Sequence, residues 1–394
     1  MKTNRTNGCR TWVGAWSRRA AMLVVGLFAA GLNAAHARPT PPPLEDPAHW
    51  ATITHPGNEP FTFQPVFSPP RSIGRVDYEY RISKTEVTTA EWFEFVQAYK
   101  PFVNPAFRQS SLFTSFNIRR DLQPDGTVNY SIAPGADDYS SEMGFRFVAR
   151  YCNWLHNGRV NQAWAFESGS YDTSTFGDLP GGVFTDQLVR SPGARYWVPS
   201  EDEWVKAAHW DPHKNGPNQP GYWKYPTTSD TLPVSGPPGV GQTNAGDAGL
   251  TTPVGAYTSV TSPWGLWDLS GGESEWTETV LYDRFTGLPV FRRTRGSRVS
   301  QSSYDDFDRI DAILGGDDMR HGFSGVRIAT VVPSPSAASG AVLVAITLNL
   351  RRRRWEVSDA DSRCGAGGIR VQSRMLGCGP DQRHGSGRLS YNPS

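Results

Sequence analysis

Four cysteines in 394 residues are too few to staple a fold of this size. Cys9 lies near the N-terminus, Cys152 stands alone in the body, and Cys364 and Cys378 lie in the tail. A disulfide framework for the body is therefore excluded. A Cys364–Cys378 bridge is permitted in an oxidising compartment, and nothing in the sequence requires it. Excess charge is missing as well: 39 Lys and Arg balance 38 Asp and Glu, for a net charge of +1. Without a basic cluster in the body, nucleic acid is excluded as a partner, because phosphate binding needs concentrated positive charge. The two longest apolar runs, Ala20 to Leu32 and Ala337 to Leu350, fall short of the roughly 20 residues of a spanning helix. No internal repeat is visible.

Glycine, proline and tryptophan are abundant: 40, 31 and 14 residues. Glycine and proline break regular elements while aromatics fill the core, which describes a loop-rich globular body. The segment Ser262 to Thr279, SPWGLWDLSGGESEWTET, is the strongest case, with Trp264, Trp267 and Trp276 set among glycines and acids. It has too few aliphatic residues for an ordinary helix or strand, yet its rings can bury large areas around an irregular backbone.

Both ends carry sorting features. Arg10, Arg18 and Arg19 precede the apolar run at Ala20, and Ala35-His36-Ala37 supplies small residues for cleavage, so residues 1–37 read as a signal peptide. An uncleaved anchor is the competing reading. Residues 38–70 are proline-rich and read as a linker. Near the other end, Val332-Pro333-Ser334-Pro335-Ser336 leads into the apolar run at Ala337 and then Arg351 to Arg354. The arginines would hold that end on the cytoplasmic side. An apolar strand closing the fold is the alternative for this run. Residues 355–394 are polar and aperiodic, and are expected to be disordered.

Three helices can be placed. Thr88 and Glu91 have capping-box spacing ahead of Trp92, Phe95, Val96 and Tyr99 on one face. Phe145, Val148, Ala149, Cys152 and Leu155 form the stripe of a second, ended near Asn157-Gly158. Ser200 and Glu203 repeat the capping box for a third through Ala208. Strands are expected at Tyr78 to Val87, Val254 to Tyr257, Gly265 to Leu269 and Val326 to Val331, with Asn215 to Pro253 almost all turns. Glu201, Asp202 and Glu203 suit a helix N-terminus. His209 and His213 have i,i+4 spacing, but Pro212 falls between them, so they are expected to face solvent rather than share a metal.

Eight pieces in register resemble the formylglycine-generating enzyme (sulfatase-modifying factor) family. They are Lys84 to Thr88, Tyr151 to Leu155, Val198 to Trp204, Pro253 to Tyr257, Gly265 to Asp268, Glu275-Trp276, Arg295 to Ser297 and Gly325 to Ala329. The resemblance implies an α+β, C-type-lectin-like fold of low regular secondary structure over residues 71–331. The order proline-rich motif, apolar run, arginines over 332–354 is similar to a PEP-CTERM sorting signal, with Ser334 in the usual Glu position. It implies export to the periplasm or cell surface and a transient inner-membrane tether through 337–354.

Family members that make formylglycine oxidise a sulfatase cysteine with O₂ at a Cu(I) ion held by two cysteines. Cu(I) favours such soft thiolates over oxygen. That register falls here on Ser300 and Asp305, with Tyr304 between them, so copper chemistry is not expected; iron stays open. The resemblance also implies structural calcium near Asn244, Ala245 and Asp247. A second calcium segment reads Gly271-Gly272-Glu273-Ser274-Glu275-Trp276, in which Gly272 replaces Asn, Ser274 replaces Trp, and Glu275 keeps the acid. Asp305, Asp306, Asp308 and Asp311 read either as a solvated loop or as the lining of a cleft. Two functions follow: a divergent binding member for a peptide, glycan or other envelope component, or an oxygen-dependent oxidase or protein-modifying enzyme.

Overall fold

The computed structural model describes residues 43–65, 69–313, 315–316 and 322–333. The expected signal peptide, the run 337–354 with its tether, and the tail 355–394 lie outside the described residues. Of the 332–354 segment, Val332 and Pro333 alone are described.

Helix α1 (Thr89–Tyr99) begins as its capping box dictates, with the Thr88 hydroxyl accepting from the Glu91 N–H and the Glu91 carboxylate accepting from the Thr88 N–H. Its aromatic face packs against α2 (Phe145–His156): Phe95 stands 5.6 Å from Tyr151 and 6.2 Å from Trp154, ring to ring. Trp92 adds a hydrogen bond, its indole N–H donating to the Phe113 carbonyl at 2.9 Å. Each ring thus removes a large apolar area from water while the indole donor stays satisfied. Helix α3 (Glu201–His209) starts from the second capping box, Ser200 with Glu203.

The strands are short. β1 (Trp50–Ile53), β4 (Tyr80–Ser83), β12 (Ala329–Thr330) and β7 (Tyr196–Trp197) form the central antiparallel sheet in the order β1-β4-β12-β7. Two-stranded ribbons surround it: β2 (Phe61–Phe63) with β3 (Arg71–Ile73), β5 (Ile118–Leu122) with β6 (Val128–Ile132), β8 (Trp210–Asp211) with β9 (Gly221–Tyr222), and β10 (Glu275–Tyr282) with β11 (Pro289–Arg295).

Three expectations change. The stretch 38–70, read as a linker, supplies β1 and β2; Trp50 and Ile53 are buried, so their apolar surface outweighs the prolines around them. Val254 to Tyr257 and Gly265 to Leu269 form turns and loops instead of strands. The β10–β11 hairpin, the longest strand pair, was hidden because acids and arginines break its apolar alternation. Those charges turn inward, and this is what holds the fold.

Arg327 is fully buried and ties four segments together. Its Nε donates to Glu275 Oε1 at 2.8 Å and Oε2 at 3.0 Å, Nη1 to the Lys84 carbonyl at 2.6 Å, and Nη2 to the Trp267 carbonyl. Trp204 of α3 donates its indole N–H to Glu275 Oε2 at 2.8 Å. A second buried acid, Glu201, accepts from Arg295 Nη2 at 2.5 Å and from Arg71 Nη2 at 2.7 Å. Truncating one partner of a buried pair leaves an uncompensated charge, at a cost of about 3–5 kcal/mol. Arg327→Met is therefore expected to lower the unfolding free energy of the full chain by that amount, read from the urea midpoint. A loss under about 1 kcal/mol, the scale of a surface ion pair, would remove Arg327 from this role.

Candidate functional site

The loop after β11 carries the two register positions where the family's thiolates would stand. Ser300 is exposed. Tyr304 lies partly buried, its hydroxyl donating to the Pro233 carbonyl at 3.0 Å. Asp305 accepts a short hydrogen bond from the Tyr225 hydroxyl. Burial, and then this bond, push the Tyr225 hydroxyl pKa up, so it stays a donor. The remaining acids do not form one solvated loop. Asp306 is exposed and Asp311 pairs with Arg309, but Asp308 is buried. Asp308 accepts from the Ser297 N–H at 2.8 Å and from the Ser270 hydroxyl at 2.6 Å, which ties this loop to the tryptophan-rich segment. Burial outweighs both donors and raises its pKa to about 7.

The Asn244 loop packs against that same segment. Asn244 Oδ1 accepts from the Gly272 N–H at 2.8 Å, while its Nδ2 donates to the Leu250 carbonyl and the Thr252 hydroxyl. The Ala245 carbonyl accepts from the Ser235 hydroxyl at 2.5 Å, and exposed Asp247 takes the Gly249 N–H at 3.2 Å. Each of the three thus closes the loop on itself. Calcium asks for six or more oxygens, and among the described residues no group of three or more His, Cys, Asp or Glu is placed to hold a metal. Glu275 has both oxygens engaged by Arg327 and Trp204, as above.

Both glycines of this segment have a steric reason, including Gly272, which stands where the family has Asn. A Cβ on Gly271 would come within 2.1 Å of Asn244 Oδ1, and one on Gly272 within 2.7 Å of Glu86 Oε2. Glu86 is buried, with Oε1 accepting from the Glu273 N–H at 2.9 Å and Oε2 lacking any hydrogen-bond partner. Burial, and then the nearby Glu275, raise its pKa well above the ordinary carboxylate value.

Beside these glycines lies a cavity of about 110 Å³, walled by Ser115, Asn117, Glu142, Asn244, Glu273 and Val299 among others. It borders the register loop, since Val299 precedes Ser300. Burial, followed by the charge and hydrogen bond of Glu142, lifts the Glu273 pKa to about 9. Sequence reasoning missed this pair, because Glu142 and Glu273 are far apart in the chain and Glu273 reads only as a motif substitution. A larger open groove of about 940 Å³ is lined by Tyr78, Val189, Arg190 and Trp197. Arg190 in its wall is paired with Glu203 and Glu278, each at 3.0 Å.

Cys152 lies within α2, fully buried, and is the free cysteine among the described residues. His213 is exposed as expected, but His209 is buried, its Nδ1 3.1 Å from the Trp223 carbonyl. Burial pushes its pKa down to about 3, and the neutral ring is a core group. Glu201 and Glu203 likewise serve more than the helix terminus, since both sit buried among arginines.

The family profile of the sulfatase-modifying factor enzyme 1-like domain matches residues 51–331. The chain belongs to this family, and its mixed architecture of small open sheets is the family's C-type-lectin-like fold. Among solved structures it is similar to the crystal structure of CarF, at 17% identity and a TM-score of 0.41, covering 72% of this chain and 98% of that one. It is also similar to the Treponema denticola variable protein 1, at 18% identity and a TM-score of 0.44, covering 72% and 95%. No curated protein matches it.

Two outcomes test the site geometry. Asp308 has a folded pKa of about 7 against 3.8 for the free group. Its contribution is intact below the free value and is lost as pH rises toward 7, because over that range the native state keeps a proton that the unfolded chain has released. Asp308→Asn should gain stability relative to the parent between about pH 4 and 7, by up to about 1.4 kcal/mol per pH unit. A stability difference flat over that range in matched denaturation series would place the ionised form in the fold. Gly272→Asn, which restores the family residue, should cost about 1–3 kcal/mol by overpacking against Glu86. A neutral effect on the thermal midpoint would contradict the steric reading.

Proposed function

We propose that this chain is an exported, divergent member of the family that binds a ligand at the cell envelope and does not generate formylglycine. The observation that carries this reading is the donor set at the register positions: a serine hydroxyl at 300 and a carboxylate at 305. Both are hard oxygen donors, whereas Cu(I) requires soft sulfur. Cys152 offers a single thiol inside a helix core, and burial raises its pKa well above the usual thiol value, against forming a thiolate. The residues therefore do not fit a Cu(I) pair.

Export and envelope retention are supported by the charged and apolar order of residues 1–37 and 332–354. The binding role is supported by the polar cavity beside the register loop, whose ligand belongs to the peptide, glycan or envelope-component class. An oxidase using iron would need a cluster of His or carboxylate ligands, and the described residues bring no such group of three together.

The full chain incubated with Cu(I), O₂ and a cysteine-containing sulfatase peptide is expected to give no aldehyde by mass spectrometry. Metal analysis of the same preparation is expected to show no stoichiometric copper or iron; calcium alone is compatible with a binding scaffold. Aldehyde formation, or copper at one per chain, would overturn the proposal.

A further inference from the structure

Two acidic side chains, Glu142 and Glu273, stand in the wall of the 110 Å³ cavity. Ser115, another wall residue, is only 1% exposed, and its hydroxyl has no hydrogen-bond partner. Its backbone has φ +71°, a conformation that non-glycine residues seldom adopt. Behind the Gly272 wall, Glu86 Oε2 is a second buried oxygen without a partner. Buried polar groups are nearly always satisfied, so an unpartnered hydroxyl in the wall of a cavity points to something that occupies it. Arg298 exerts some pull on Glu273, but its Nη2 donates to the Ser274 hydroxyl and the Phe323 carbonyl, each at 3.3 Å.

We propose that this cavity binds a primary ammonium group, carried by a lysine side chain of a polypeptide or by a small alkylamine. Such a group brings one positive charge and three N–H donors. The carboxyl pair offers charge and acceptors, and the Ser115 hydroxyl offers a third acceptor. A divalent metal fits less well, because it needs six or more oxygens and the described residues include no acid or histidine cluster of that kind. The volume lies well below the roughly 300 Å³ at which pockets begin to take drug-sized molecules, which selects a head group over a sugar ring. The inference rests on the reading of the chain as a binding member.

The test titrates the full chain with n-butylammonium, N-acetyl-lysine methylamide and tetramethylammonium at matched ionic strength, by calorimetry. The first two should saturate in the roughly millimolar range reached by ligands of so few atoms. Tetramethylammonium, a cation without N–H donors, should bind at least about tenfold more weakly, since a hydrogen bond to a charged group is worth that factor or more. Glu273→Gln and Glu142→Gln should each weaken binding about tenfold or more with the thermal midpoint preserved. Gln keeps the shape and hydrogen-bonding capacity of Glu at both positions, and Glu142, which is partly exposed, provides a second variant if Glu273→Gln does not fold. A tenfold preference for the lysine derivative over butylammonium identifies a polypeptide source, and equal affinity identifies free amines. No saturation by either amine, equal binding of tetramethylammonium, or unchanged affinity in a folded variant would overturn the proposal. Such a failure leaves the absence of aldehyde chemistry untouched, because that is read with a different substrate and product.

Discussion

The buried bond between Glu275 and Arg327 organises this protein. A fold with so little regular secondary structure cannot rely on long hydrogen-bonded ladders to hold its segments in register. Here a guanidinium satisfies two distant carbonyls and one carboxylate at once, and that carboxylate accepts an indole N–H from α3. Arginine suits the task because its planar fork directs several donors in fixed directions. The loops converge on β10 because their polar groups would otherwise be buried without partners.

From that anchor the geometry of the neighbouring loop follows. Glu275 fixes the start of β10, so Gly271, Gly272 and Glu273 must pass close to Asn244 and Glu86. There is no room for a Cβ at either glycine. The same close approach brings the Glu273 N–H to Glu86 and its carboxyl to Glu142. A structural constraint thereby produces a small cavity lined by two acids beside the loop after β11.

Local signals were legible where they depend on neighbours in the chain. Both capping boxes, the end of α2 near Asn157, and the starts of α1 and α3 follow from residues close in the chain, and the structure shows them. The hairpin of β10 and β11 was not legible, because Arg292, Arg293 and Arg295 read as solvent-facing charges until their partners are known. His209 was misread for a related cause. Its burial depends on β9 and Trp223 folding over the end of α3, which no periodicity reports.

The sequence alone determined the family and the α+β class. These are properties of residue identity and short spacing. Tertiary structure alone decided which charges are buried, which glycines are forced, and that Glu142 meets Glu273 over a cavity. The physical reason is that desolvation and pairing depend on groups far apart in the chain, and their distances exist only once the loops have closed around Arg327.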